Sequence, residues 1–437
     1  MRSMFSAVSG LRAHQTRMDV IGNNIANVNT AGFKGGRVTF QEVFNQTLRG
    51  AGSPQGGKGG TNPQQVGLGI SIASMDTFHV RGSVESTGYN TDAMINGDGF
   101  FIVSEDTDFL NRSYTRAGSF GIDETGNLVT ADGYRVLGNM YDSQNRRYES
   151  ALTGLQISKS MSYPAMATEN NASGYAVTFG GNLNANTPIS SGVAPGVPPA
   201  VGVNINQLLS TDGKSSVARD TTFTAYDERG GTHEIRVVFI KTGPTAYEVW
   251  GVDNNEELIG AGSNLTFDAD GTYNAGSFAV SVTPTNGASN FTFDVDLSKL
   301  TEFANESDAS AEHVVGYKQG GLSDYAIDAN GVITGYFTNG QMRPIGQIAL
   351  ANFSNPAGLQ KSGSNLYKTS ANSGEPLVGQ PGTGGRGSLN PGSLEMSNVD
   401  LSREFTNMIT TQRGFQANSR VITASDEMLQ EVVNMKR

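Results

Sequence analysis

Asn23-Asn24-Ile25-Ala26-Asn27-Val28-Asn29-Thr30-Ala31-Gly32-Phe33-Lys34 reads as the end of a helix. Asn and Thr side chains compete there for backbone hydrogen bonds, and Gly32 permits a turn before Phe33. Upstream, Met4, Leu11, Met18 and Ile25 recur every seven residues, which predicts a helix from about Ser3 to Val28. The companion positions Val8, Gln15, Gly22 and Asn29 turn polar or small. The other end of the chain repeats the pattern with Leu401, Met408, Phe415, Ile422 and Leu429. Its companions are Phe405, Gln412, Ser419, Asp426 and Val433. Ser397 or Asn398 is expected to cap this second helix, with Asp400 in its first turn. Seven residues is the coiled-coil period. An amphipathic helix on a globular core would explain either stripe alone. Two such stripes, one at each end, instead predict paired helices with a dry assembly seam and a wetter companion row.

Between the helices the chain reads as strands. Gly99–Val103, Ile235–Ile240, Phe291–Val295 and Gln347–Leu350 alternate or are rich in β-branched and aromatic residues. One hairpin signature occurs at Ile122–Leu128, Phe267–Tyr273 and Ile327–Ile333: an apolar residue, Asp, two residues, Gly, then a returning strand. Gly supplies the positive φ that such a turn needs. Gly50–Gly60 and Ser373–Gly392 are glycine-rich, and Asn184–Val203, with Pro188, Pro195, Pro198 and Pro199, reads as an irregular loop. The expected fold is α+β and mainly β, with long paired terminal helices, coiled-coil-like, and two nested antiparallel β domains. Residues 1–30 with 398–437 form the expected helical polymerisation domain, and 31–70 a linker. Residues 71–148 with 308–372 form an inner β domain, 149–307 an outer one, and 373–397 a glycine-rich return linker.

Composition narrows the function. At 437 residues the chain has room for about three domains of ~150 residues. Its 30 basic and 41 acidic residues give a net charge of −11. No Lys/Arg run offsets that balance, which argues against nucleic acid as a partner. The absence of cysteine excludes disulfides and thiolate chemistry. Gly reaches 56 while charged residues make up only 16%, the composition of a turn-rich β protein. No stretch approaches the ~18 apolar residues of a membrane span, so no membrane insertion is expected. Arg12 interrupts any secretory leader core, so export, if it occurs, is expected without leader cleavage.

The candidate chemical motifs are weak. Gly52-Ser53-Pro54-Gln55-Gly56-Gly57-Lys58 imitates a phosphate loop, but Gly59 stands where Ser or Thr must follow and no strand leads in. Asp268 and Asp270 lack the later ligands of a calcium loop. His14, His79, His233 and His313 are scattered, without zinc spacing. The Gly-x-Ser-x-Gly elbow of esterases is absent. The residues therefore predict no catalytic, cofactor or metal site and no cofactor.

The stretch Asn23–Lys34 resembles the signature of the bacterial flagellar rod and hook proteins. Its matching positions are Asn23, Asn24, Ile25, Ala26, Asn27, Thr30, Gly32, Phe33 and Lys34. Asn96–Val103, Tyr114–Phe120, Asn127–Tyr134, Ser397–Ser402 and Gln412–Asn418 are similar to further blocks of that family. Rod members are much shorter. The extra β region at about 149–307, with Gly180–Asn184 near its start and Gly346–Phe353 after it, resembles the hook branch.

That resemblance implies a structural subunit that polymerises into a short, hollow, flexible tube coupling rod to filament and transmitting torque. It implies terminal helices lining the inner layer, with β domains farther out. The implied partners are further copies of the chain, the flagellar rod, the hook cap, the hook-length-control and hook–filament junction proteins, and the flagellar type III export apparatus. The implied location is the flagellum, outside the cell and attached to the basal body. The distal rod protein of the same family is the nearest alternative. A secreted β-rich adhesin would need a leader and has no use for paired terminal heptads. A secreted glycan-processing enzyme would need a carboxylate pair in a cleft.

Overall fold

The computed structural model describes residues 2–54, 56–57, 59–172, 174–191, 204–205, 214–260 and 264–435. The chain is mainly β, with one long helix at each end. It divides into two units. The first comprises Met1–Ser158, Tyr325–Gly335 and Arg343–Arg437, and the second Lys159–Asp324 and Tyr336–Met342.

In the first unit the N-terminal helix runs Arg2–Ala26 and the C-terminal helix Leu401–Asn434. The cap of the latter is Asp400, not Ser397 or Asn398: its carboxylate accepts from the amides of Ser402 and Arg403. A short acidic side chain at that position answers both exposed N–H groups and the positive helix end.

The expected 31–70 linker is mostly a hairpin. Gly36–Glu42 pairs antiparallel with Ile70–Thr77, and Asn45–Arg49 with Gln64–Gly67. Its outer half is exposed on both strands, so the apolar alternation that signals a strand is weak there. The glycines of 50–60 form its tip, bridged by Gly52 and Thr61. Of the phosphate-loop imitation, Gln55 and Lys58 lie outside the described residues.

The expected return linker at 373–397 is also partly strand. Leu377–Gly379 pairs with Leu350–Asn352, Ser388–Pro391 with Ala93–Asn96, and Ser393–Glu395 with Val84–Ser86. Glycines at positive φ, including Gly382 and Gly392, make the turns between these short pieces. Beneath them Phe100, Ile102, Tyr114, Leu137, Phe353 and Tyr367 form a buried cluster.

The second unit places a six-stranded sheet, centred on Thr232–Gly243 and Ala246–Val252, with a four-stranded sheet centred on Phe291–Phe303. Phe179, Phe239, Tyr247, Phe267, Phe278 and Phe293 share their common core. Its sheets are not wholly antiparallel. Val177–Asn184 runs parallel to Phe291–Phe303, a pairing open to strands joined by a long crossover. The unit is also wider than the expected 149–307, because Ser310–Val314 completes the four-stranded sheet. The irregular loop expected at Asn184–Val203 lies outside the described residues from 192 onward.

The three expected Asp…Gly hairpins share one geometry. Asp123, Asp268 and Asp328 each donate an amide four residues on and accept from the Gly amide three residues on. Gly126, Gly271 and Gly331 all have positive φ. The same bonds close turns at Asp227 and Asp253, where the positive-φ residues are Gly230 and Glu256.

Candidate assembly site where the chain ends meet

The helix-stop stretch is held from both ends of the sequence. Asn27 donates from its side chain to the Asn23 carbonyl, and Thr30 donates to the Asn27 side chain. The Thr30 and Phe33 amides donate to Asn27 and Thr30 carbonyls, while Val28 donates to Ile25. Ala26 closes the helix and is exposed. Gly32 has φ of +70°, and an added Cβ would lie 2.5 Å from the Ala117 nitrogen. Its amide donates to the Glu395 carbonyl at 2.7 Å. No other residue fits that combination of backbone angle and clearance.

Two residues on, Lys34 is fully buried. Its Nζ donates to Glu395 Oε1 at 2.7 Å and to the Val80 carbonyl at 2.8 Å. Glu395 also accepts from the Gly82 amide at 3.0 Å and from Arg116 at 3.4 Å. One carboxylate therefore satisfies two buried cations from distant parts of the chain. Burial pushes the Lys34 ammonium down, and Glu395 opposes that shift. Burial likewise lowers Arg116. His79 stands beside this pair, edge-on to Phe100 and Tyr367. Burial first, then the positive charges of Arg116, Lys34 and Lys361, lower His79 to about 4.

Asparagines stitch the adjoining layer. Asn24 exchanges two bonds with the Gly36 backbone, at 2.8 and 2.9 Å, and donates to Glu404 at 3.2 Å. Asn398 accepts from the Gly35 amide and donates to the Phe78 and Val80 carbonyls. Lys361 donates to the Lys34 carbonyl and stands over the Phe33 ring. The motif is thus a fastening between helix, hairpin and the C-terminal approach. Arg116, Glu395 and Glu404 were not singled out from sequence, and Asn398 was expected only as a helix cap. The one signal available was Glu395 standing in an otherwise apolar and small strand.

Above this fastening the two helices pack antiparallel. An added Cβ on Gly10 would lie 2.7 Å from Asn418 Nδ2, and one on Gly414 would lie 2.8 Å from the His14 ring. The fully buried positions are Ala7, Gly10, Ala13, Ile21 and Asn24 on one helix, and Thr411 and Ser425 on the other. The expected seam falls beside this line. Met4, Leu11, Met18, Ile25, Met408, Phe415 and Ile422 are half-buried, while Leu401 and Leu429 are exposed. Small residues let the backbones approach, so the sevenfold apolar stripe flanks the helix contact instead of filling it. Among the described residues no group of His, Cys, Asp and Glu could hold a metal ion.

Comparison with known proteins places these features. Residues 4–34 match the flagella basal body rod protein family, and 390–435 match the flagellar basal body rod FlgEFG protein C-terminal family. Residues 94–185 match the flagellar hook protein FlgE/F/G D1 domain, and 199–317 the flagellar basal body protein FlaE D2 domain. The chain is 39% identical to the flagellar hook protein FlgE of Borreliella burgdorferi, over the whole of both chains. The chain belongs to the bacterial flagellar hook protein family. It is also 34% identical to the Escherichia coli hook protein, covering 98% of this chain and 99% of that one. The flagellar basal-body rod protein FlgG of Bacillus subtilis is 31% identical over both full lengths. The fastening of Asn24, Lys34, Arg116 and Glu395 is therefore part of a structural subunit of the flagellar hook. No helix among the described residues is long and apolar enough to cross a membrane.

Proposed function

We propose that this hook-family chain polymerises through its terminal helices into a hollow, flexible tube that joins rod to filament and passes torque. The observation that carries the reading is the mismatch on the helix pair. The close approach inside one chain is at Gly10 with Asn418 and Gly414 with His14, leaving exposed Leu401 and Leu429 and much of the half-buried Met4–Ile25 and Met408–Ile422 stripe for neighbours. Such a surface on paired, coiled-coil-like helices favours lateral association. The second unit, inserted in sequence within the first, is read as the outer β domain. The role is mechanical and not enzymatic, with no cofactor.

Under this reading the chain's partners are its own copies, the rod, the hook cap, the length-control and junction proteins, and the type III export apparatus. It works outside the cell, in the hook. Purified chain, seeded and negatively stained, should give bent tubes. Straight tubes would support the distal-rod alternative, and a chain that never polymerises would exclude both.

A further inference from the structure

The helix pair has unequal ends. Gly10 faces Asn418, His14 faces Gly414 and Asn24 bonds Glu404, so the two helices run in a constant antiparallel register. Carried to the start of the N-terminal helix at Arg2, that register ends near Asp426. The C-terminal helix continues to Asn434, past the last position that the described N-terminal helix can face in that register. This last stretch is apolar on one side and acidic on the other. Met428, Val432, Val433 and Met435 are 56–77% exposed, and Glu427 and Glu431 lie four residues apart, one helical turn. The row of Thr411, Asn418 and Ser425 that faces the N-terminal helix continues at Val432, where its partner has run out.

At the opposite end of the pair, beside the fastening, lies a groove of about 550 Å³. Phe78, Val80 and Val399 line it, and Arg17, Arg37, Arg81 and Arg403 rim it. Two acidic groups are also present, but both are engaged: Asp400 caps its own helix, and Glu404 is held by Asn24 and Asn407. Arg37 pairs with exposed Asp76. Arg81 and Arg403 carry no carboxylate partner among the described residues and are exposed.

We infer that the overhang at 427–435 of one copy docks in the arginine-rimmed groove of the next copy. The chemistry matches in both respects, apolar face to apolar floor and carboxylates to guanidinium rim. The geometry matches the assembly as well. The two surfaces sit at opposite ends of a helix pair, separated by about 36 Å for 24 residues at 1.5 Å each. A contact between different surfaces at opposite ends repeats without closing, which is what an open helical polymer requires. The inference rests on the polymer reading and adds which surfaces meet.

The chain has no cysteine, so engineered disulfides report the contact directly. Full-length Met428→Cys/Val80→Cys, assembled and then oxidised, should give a ladder of covalent oligomers without reducing agent. The two positions are too far apart to bridge within one chain. In parallel, Glu427→Lys/Glu431→Lys should slow seeded elongation about tenfold, and adding Arg403→Glu/Arg81→Glu should restore most of it, as coupled charges across an interface do. Polymer that forms normally but gives no ladder, or no recovery on charge exchange, overturns the docking while leaving the polymer reading intact. A dimer from Met428→Cys alone would overturn it too, because the overhang would then meet itself. Failure of the parent chain to polymerise would overturn both.

Discussion

Lys34 and Glu395 stand 361 positions apart in sequence, yet their side chains meet at 2.7 Å with no solvent exposure on either. Removing the carboxylate strands two cations, Lys34 and Arg116, in a dry site. Glu395→Gln should therefore destabilise the first unit by about 3–5 kcal/mol, the range for breaking a buried ion pair. Lys34→Met should cost less, because Arg116 and the Gly82 amide still answer Glu395. Urea denaturation of the two variants tests the order. Equal losses would show that the carboxylate is not the shared partner.

Glycines on the helices divide by what faces them. A Cβ at Gly22 meets nothing within 4 Å, whereas one at Gly10 meets Asn418 at 2.7 Å. Gly22→Ala should stabilise the N-terminal helix by about 0.5–1 kcal/mol. Gly10→Ala should lose that gain to crowding, which commonly costs about 1–3 kcal/mol. Amide exchange across residues 2–26 reads the difference, and matching protection in both variants would refute close helix contact.

The stripe and the contact line give opposite expectations for charge. Thr411 is buried in the single chain, while Phe415 is half-buried and Gln412 exposed. Thr411→Asp should separate the helices of the monomer. Phe415→Asp should leave the monomer's β units intact but block polymer formation, and Gln412→Asp should be mild. Melting curves of the monomer, set beside polymer yield after seeding, separate these three behaviours. Normal assembly by Phe415→Asp would remove the stripe from the interface.

Acid should act on the fastening through His79. Its folded pKa, about 4, lies below the ordinary imidazole value of 6.5. Between those values the unfolded chain binds a proton that the folded one refuses, so stability falls as pH drops from 6.5 towards 4. The whole window amounts to about 3 kcal/mol at ~1.4 per pKa unit. His79→Phe should flatten that part of the stability–pH curve, provided the ring packs against Phe100 and Tyr367. An unchanged slope would place the acid response elsewhere.

A fragment covering 159–324 should melt cooperatively and at a higher temperature than one covering 149–307. The shorter piece loses Ser310–Val314, which pairs with Val177–Gly180, together with buried Ala309. Identical melting would mean that this edge strand adds nothing to the second unit.

Both helices, the mainly β body and three of the Asp…Gly turns were legible because periodicity and turn chemistry are local. The helix stop was legible for the same reason, through Asn27, Thr30 and Gly32. Local signals failed where stability is supplied from afar. The hairpin at Gly36–Thr77 lacks apolar alternation in its outer half, and Ser388–Pro391 is a strand only because Ala93–Asn96 lies beside it. The close helix approach was not legible because hydrophobicity marks Met4 and Leu11, whereas the backbones come nearest at Gly10 and Gly414. The Asp253 turn was missed because Glu256, not glycine, takes the positive φ. Nothing local marks Lys34, Arg116 and Glu395 as one cluster, since their meeting depends on the completed topology.

That cluster also sets an order of events. A chain emerging with its N-terminus first holds Lys34 and Arg116 long before Glu395 exists to neutralise them. Until then the pocket carries two unanswered positive charges, and closing it around them is unfavourable. Contacts so distant in sequence are formed late. The arrival of Glu395 is therefore what lets this site close: a chain truncated before it would leave Lys34 and Arg116 without their shared carboxylate and could not latch its two ends together.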